Sequence, residues 1–93
     1  MRIYNISYDL KKPGQNYTEL FDELKNSPGW WHYLKSTWLV ATNETASQLW
    51  DRISPAIDKN DRVLIIQVVN NNNAGWLPQE AWDWINERFR AAA

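Results

Sequence analysis

Cysteine is absent from the 93 residues, which removes disulfides, thiolate metal ligands and cysteine nucleophiles together and fits a reducing, cytoplasmic setting. Histidine occurs once, at His32, so there is no second imidazole to complete a metal set with it. Long apolar runs are missing as well. The longest, Val63 to Val69, is interrupted by Gln67 and falls far short of the ~20 residues that a spanning helix needs. With no secretory leader recognised either, the expectation is a soluble chain with no membrane partner. Charge is balanced, 10 Lys and Arg against 11 Asp and Glu, for a formal net charge of -1. No overall basic field is available to draw in phosphate, which argues against tight nonspecific binding of nucleic acid.

A chain of this length forms one domain and buries only roughly 60–65% of its unfolded surface. Residues 1–90 are read as that domain, and Ala91 to Ala93 are set aside as a cloning remnant. Arg2 to Asp9, RIYNISYD, alternates as a strand does: Tyr4, Ile6 and Tyr8 on one side, Asn5, Ser7 and Asp9 on the other. Lys11 to Gln15 is a loop. Asn16, three residues before Glu19, resembles a capping box for a helix that starts at Tyr17 and buries Leu20, Phe21 and Leu24. Pro28 and Gly29 end it.

His32 to Thr42 reads as two short strands with a bend or bulge at Lys35-Ser36. Thr42 and Asn43 offer a cap for a second helix with an apolar stripe of Ala46, Leu49, Trp50, Ile53 and Ile57, which Pro55 ends or kinks. After turn chemistry at Asp58 to Asp61, Val63 to Val69 is apolar on nearly both faces, as a central, doubly covered strand would be. The four asparagines Asn70 to Asn73 make a polar loop suited to left-handed backbone. Pro78 opens a last helix carrying Trp82, Ile85 and Phe89. The order predicts an α+β, ferredoxin-like split βαβ domain (βαββαβ) with an additional C-terminal helix and one open sheet face. Asn5, Ser7 and Asp9 would decorate that face beside Ile65 and Gln67.

YNISYDL at 4–10, STWLVAT at 36–42 and NDRVLIIQV at 60–68 resemble the core of the small CRISPR-associated Cas-two family. In that family the first strand ends in tyrosine-aspartate, a serine opens the strand after the first helix, and an aspartate precedes the last core strand. The whole pattern, with ISYDL, WWHYL and STWL, and GWLP and AWDW, is also similar to short bacterial proteins catalogued as SinR-like. That label implies a DNA-binding regulator, although no helix-turn-helix is recognisable. The Cas-two resemblance implies a ferredoxin-like homodimer in which Asp9 meets its two-fold mate around a divalent cation, Mg²⁺ or Mn²⁺. It implies either a metal-dependent nuclease acting on RNA or DNA or a noncatalytic scaffold. Mg²⁺ often takes only one or two carboxylates and keeps its waters, so one aspartate per protomer would serve.

Two functional expectations follow from these residues. In the first, Asp9 is the metal-binding and catalytic carboxylate of a weak nuclease, and Lys11, Lys12, Lys35 and Ser36 contact phosphate. In the second, the chain is a noncatalytic module that recognises a nucleotide or a protein partner through Trp30, Trp31, His32 and the Asn70 to Trp76 loop. Each residue also has a plainer reading: Asp9 capping a turn, Ser36 at a bulge, His32 as a structural aromatic, Trp50 and Trp82 in the core. Trp30 and Trp31 face opposite ways if they lie in a strand, so one of them is exposed.

Overall fold

The computed structural model describes residues 1–11 and 17–92. The loop residues Lys12 to Gln15 and the cap expected at Asn16 lie outside the described residues. The chain forms β1 (Arg2–Asp9), α1 (Thr18–Lys25), β2 (Gly29–Leu34), β3 (Thr37–Thr42), α2 (Ala46–Ile53) with a 3-10 turn at Ser54–Ala56, β4 (Arg62–Val68) and α3 (Gln79–Ala92). The result is a small α+β domain with one four-stranded antiparallel sheet ordered β2-β3-β1-β4. That order is compatible with the split βαβ plan.

Period-two alternation in β1 divides its side chains between two cores. Tyr4 and Ile6 are buried on one face with Trp38 and Val40 of β3, under Leu20 and Leu24 of α1 and Leu49 and Ile53 of α2. Each of these fully buried leucines and isoleucines contributes about 2 kcal/mol of transfer free energy. Ile3 is buried on the opposite face. There α3 lays Ala81 and Ile85 on Trp31, with Leu39, Leu77, Trp82, Trp84 and Phe89 around them. The Arg88 guanidinium of α3 comes so close to Gly29 that a Cβ there would lie 2.8 Å from its Cζ, so β2 starts with the residue that leaves room.

Local chemistry explains the element ends. Thr45 caps α2 in a reciprocal capping box with Gln48, three residues beyond the cap expected at Thr42. Thr42 is occupied instead with Glu44, whose carboxylate and amide it bonds. Pro55 sits in the 3-10 turn that closes α2, as its missing amide proton requires. Lys35 and Ser36 form the β2–β3 turn, and β2 loses register between Trp31 and Leu34. No described asparagine of the 70–73 run is left-handed; Asn70 instead accepts the Asn72 N–H at 3.0 Å, so its side chain makes the turn that backbone reversal was expected to make.

Three expectations about the sheet are corrected. The open face is partly closed, because α3 packs on Trp31 and Leu39 of β2 and β3 and also contacts β1. Second, β4 is an edge strand, not a central one; apolar residues on both faces do not by themselves require cover on both. Third, β1 and β4 pair with Asn5 opposite Ile66 and Ser7 opposite Leu64, so Leu64 and Ile66, not Ile65 and Gln67, share the open side. A one-residue change of register exchanges the faces of a whole strand. Trp50, expected in the core, is 42% exposed beside β4.

Two charged side chains brace the connections. Arg52 of α2 donates from Nε and Nη2 to the Glu44 carboxylate (2.9–3.2 Å), from Nη2 to Ser27 Oγ (2.9 Å), and from Nη1 to the Glu23 carbonyl at the end of α1. The Arg52 hydrogen bonds hold the Glu44 carboxyl below its ordinary value, and the carboxylates raise the guanidinium against the opposing effect of burial. Asp61 is buried and accepts the Lys11 N–H (2.7 Å), the Tyr17 O–H (2.9 and 3.0 Å) and the Asp58 N–H (3.0 Å), tying the ends of both long connections to the start of β4.

Because Glu44 titrates lower in the folded than in the unfolded chain, its stabilisation is complete above the ordinary value near 4.5 and is lost as pH falls through the depressed one. Urea unfolding is expected to show a steeper loss of stability below about pH 4.5 in the wild type than in Glu44→Gln, and Arg52→Ala is expected to cost roughly 2 kcal/mol near pH 7. Asp61→Asn turns one acceptor into a donor facing a donor. It is expected to cost roughly 2 kcal/mol in the same measurement, more than Tyr17→Phe, which removes a single hydroxyl.

Candidate functional site

The β1 C-terminus, the β4 N-terminus and the β2–β3 turn meet at one end of the sheet, and most of the residues singled out from the sequence gather there. Asp9 ends β1, opposite Arg62. Its Oδ2 lies 2.6 Å from Lys11 Nζ, with both side chains more than half exposed, so the pair is solvated and adds little to stability. The turn-capping role considered for Asp9 belongs to Asp61, which takes the Lys11 amide. Lys12 lies outside the described residues.

The turn is fastened to β1 through its backbone. Tyr8 N–H donates to the Ser36 carbonyl and Tyr8 O–H to the Lys35 carbonyl, both at 3.0 Å. Trp38 Nε1–H donates to the Tyr8 hydroxyl at 3.0 Å. Burial raises the Tyr8 phenol above its ordinary value, and the Trp38 hydrogen bond works the other way. The Lys35 and Ser36 side chains are left at the surface. His32 stacks on Trp38 at 4.0 Å with rings 14° from parallel. Its Nε2 lies 3.3 Å from the Lys35 carbonyl, which can only accept, so this hydrogen bond requires the tautomer protonated at Nε2. The imidazole is a structural aromatic in this arrangement and its ring is committed to Trp38 and Lys35.

The neighbouring tryptophans do divide between faces. Trp30 is 40% exposed, 5.5 Å from Trp38 and beneath the Lys25 ammonium, also at 5.5 Å. Trp31 is only 3% exposed, under α3. Trp30, Trp31 and His32 therefore do not form a single stacking surface. The Asn70 to Trp76 loop approaches this group only at its end, where Gly75 lies against Trp82 of the cluster around Trp31. At the other end of the sheet, Asn70 and Asn71 help line a cleft of about 750 Å³ with Arg2, Asn43, Gln67 and Phe89, and Trp76 projects fully into solvent. Arg2 and Gln67 carried no sequence signal for this cleft, since their meeting depends on β1 pairing with β4.

For a divalent cation, a single chain offers the Asp9 carboxylate with one oxygen already held by Lys11. No group of three His, Cys, Asp or Glu residues gathers among the described residues. The arrangement that the resemblance implies requires a second Asp9.

The molecule's other unspent feature is apolar. Leu64 and Ile66 are 57% and 55% exposed on the side of the sheet that α3 leaves uncovered, and Val69 follows them into solvent. On the other side of the same strand, Trp50 with Ala46, Ser47, Val63 and Ile65 frames a groove of about 310 Å³. No protein-family model matches this chain, and no solved structure matches it.

Proposed function

We propose that this chain is a homodimer with a Cas-two-like, ferredoxin-like fold that works as a noncatalytic interaction module in a nucleic-acid-related setting. The observation that carries this reading is the exposed aliphatic surface of β4, where Leu64 and Ile66 stand in solvent in a chain too short to waste burial. The βαββαβ order of elements and the sheet order β2-β3-β1-β4 support the ferredoxin-like assignment. The balanced charge favours contact through apolar surface over contact through phosphate.

A second reading is a weak divalent-metal-dependent nuclease. It is favoured by the gathering of Asp9, Lys11, Lys35 and Ser36 at one end of the sheet, with Asp9 accessible. Arg62 across from Asp9 adds one more cation to that end.

The test is cleavage of labelled single-stranded RNA and double-stranded DNA with Mg²⁺ or Mn²⁺, wild type against Asp9→Asn, with light scattering on the same samples. A dimer with no cutting above the Asp9→Asn background is the expected result. Metal-dependent cutting that disappears in the variant while the dimer persists would establish the nuclease instead.

A further inference from the structure

We infer that two copies of this chain join edge to edge, β4 pairing antiparallel with β4 about a two-fold axis at Ile65, so that two four-stranded sheets become one continuous sheet. The inference rests on the homodimer reading and specifies its interface.

The first ground is the state of the edge. Among the described residues β4 pairs only with β1, so its far side has no strand beside it. Strands in that position are ordinarily blunted by lysine, proline, a bulge or an inward charge. Between Arg62 and Asn70, β4 and the residue after it read VLIIQVV, with none of these residues. Its register against β1 runs without interruption from Val68 opposite Ile3 to Arg62 opposite Asp9. The opposite edge is different, since β2 loses register between Trp31 and Leu34. One edge of the sheet is irregular, and the other is flat, apolar and unguarded.

The second ground is self-complementarity, which selects a second copy as the occupant. With Ile65 on the axis, Leu64 of each copy stands opposite Ile66 of the other, and Val63 opposite Gln67. Four aliphatic side chains then close over one another on the face that α3 leaves open. The only charge in β4, Arg62, falls opposite Val68 of the other copy. The two arginines end about 20 Å apart, three residues either side of the axis at about 3.4 Å per residue. Parallel pairing would set them side by side. Trp50, beside Val63 and Ile65 on the opposite face, flanks the same seam.

This geometry has a consequence for Asp9. It stands level with Arg62, so its two copies are also separated by about 20 Å along the strands and cannot share one cation. An Asp9-centred dimer and an Ile65-centred dimer are mutually exclusive.

The chain's lack of cysteine makes single-cysteine cross-linking a clean test. Ile65→Cys, Gln67→Cys and Asp9→Cys would each be oxidised as the full chain, with folding checked by circular dichroism and mass by light scattering. A residue opposite itself across an antiparallel pair lies within disulfide reach. The expected result is a covalent dimer from Ile65→Cys and none from the other two. Leu64→Lys combined with Ile66→Lys, both at exposed positions, should keep the fold and reduce the mass from twice 11.0 kDa to 11.0 kDa. A dimer cross-linked through Asp9→Cys, or one indifferent to the two lysines, overturns the β4 interface while leaving the homodimer reading standing. A chain that stays monomeric overturns both and leaves the edge to a strand from another protein.

Discussion

A buried tryptophan has one polar atom that must find a partner, and the larger core is arranged around that requirement at Trp38. Its indole N–H donates to the Tyr8 hydroxyl, which in turn donates its O–H to the Lys35 carbonyl. One chain of donors thereby ties the middle of β3 to the end of β1 and to the β2–β3 turn. The ring itself collects Phe21 of α1 at 5.9 Å, His32 at 4.0 Å and Trp30 at 5.5 Å. An unpartnered indole there would cost about 1–3 kcal/mol, so the hydrogen bond constrains where Tyr8, and hence the strand end carrying Asp9, comes to rest. The second core lacks an equivalent. Trp31 Nε1 is buried beneath α3 without a hydrogen-bond partner among the described residues.

With no disulfide to staple it, the chain holds its connections with charges that work inside the structure. Arg52 spans α2, the loop before it and the last turn of α1, placing a cation at the C-terminal carbonyls of that helix. Asp61 does the complementary work with an anion, accepting from two backbone amides and a phenol at once. Both charges are matched to fixed donors or acceptors, which makes each costly to remove and neither free for chemistry. Asp9, tied only to a solvated lysine, differs from both in that respect.

What was legible in the sequence is local. The alternation of Tyr4, Ile6 and Tyr8, the stop at Pro55 and the turn at Lys35-Ser36 each depend on neighbours a few residues away, and each is where it was read. What was not legible depends on pairing. Whether VLIIQVV lies at the centre or the edge of a sheet is decided by what stands beside it, and its apolar pattern is the same in either place. Pairing register, set by contacts some 60 residues apart in the chain, brings Leu64 and Ile66 to the open face. Trp50 satisfies a helical stripe, yet the adjacent strand is the last of the sheet, so nothing closes over it. The candidate site follows the same rule. The opposite facing of Trp30 and Trp31 is local and was read from strand alternation, whereas which of the two is buried, and that Trp30 and His32 both pack on Trp38, required knowing which faces the two cores occupy.

The half-open face is a matter of widths. A helix with its side chains is about 10–12 Å across and strands lie about 4.8 Å apart, so one helix covers roughly two strands and a four-stranded sheet needs two helices per face. α1 and α2 meet that need on one side; the other has α3 alone. It lies over Trp31 and Leu39 of β2 and β3 and reaches the start of β1, where Ile3 is buried, and the rest of that face is finished by the second half of β1 and by β4. β1 finishes it with Asn5 and Ser7, whose side chains hydrogen-bond each other at 2.7 Å and tolerate water. β4 finishes it with Leu64 and Ile66, which do not. Polar residues at those two positions would have suited the isolated domain equally well in packing terms, since no helix reaches them. The aliphatic pair is therefore an expense that the folding of one chain does not explain.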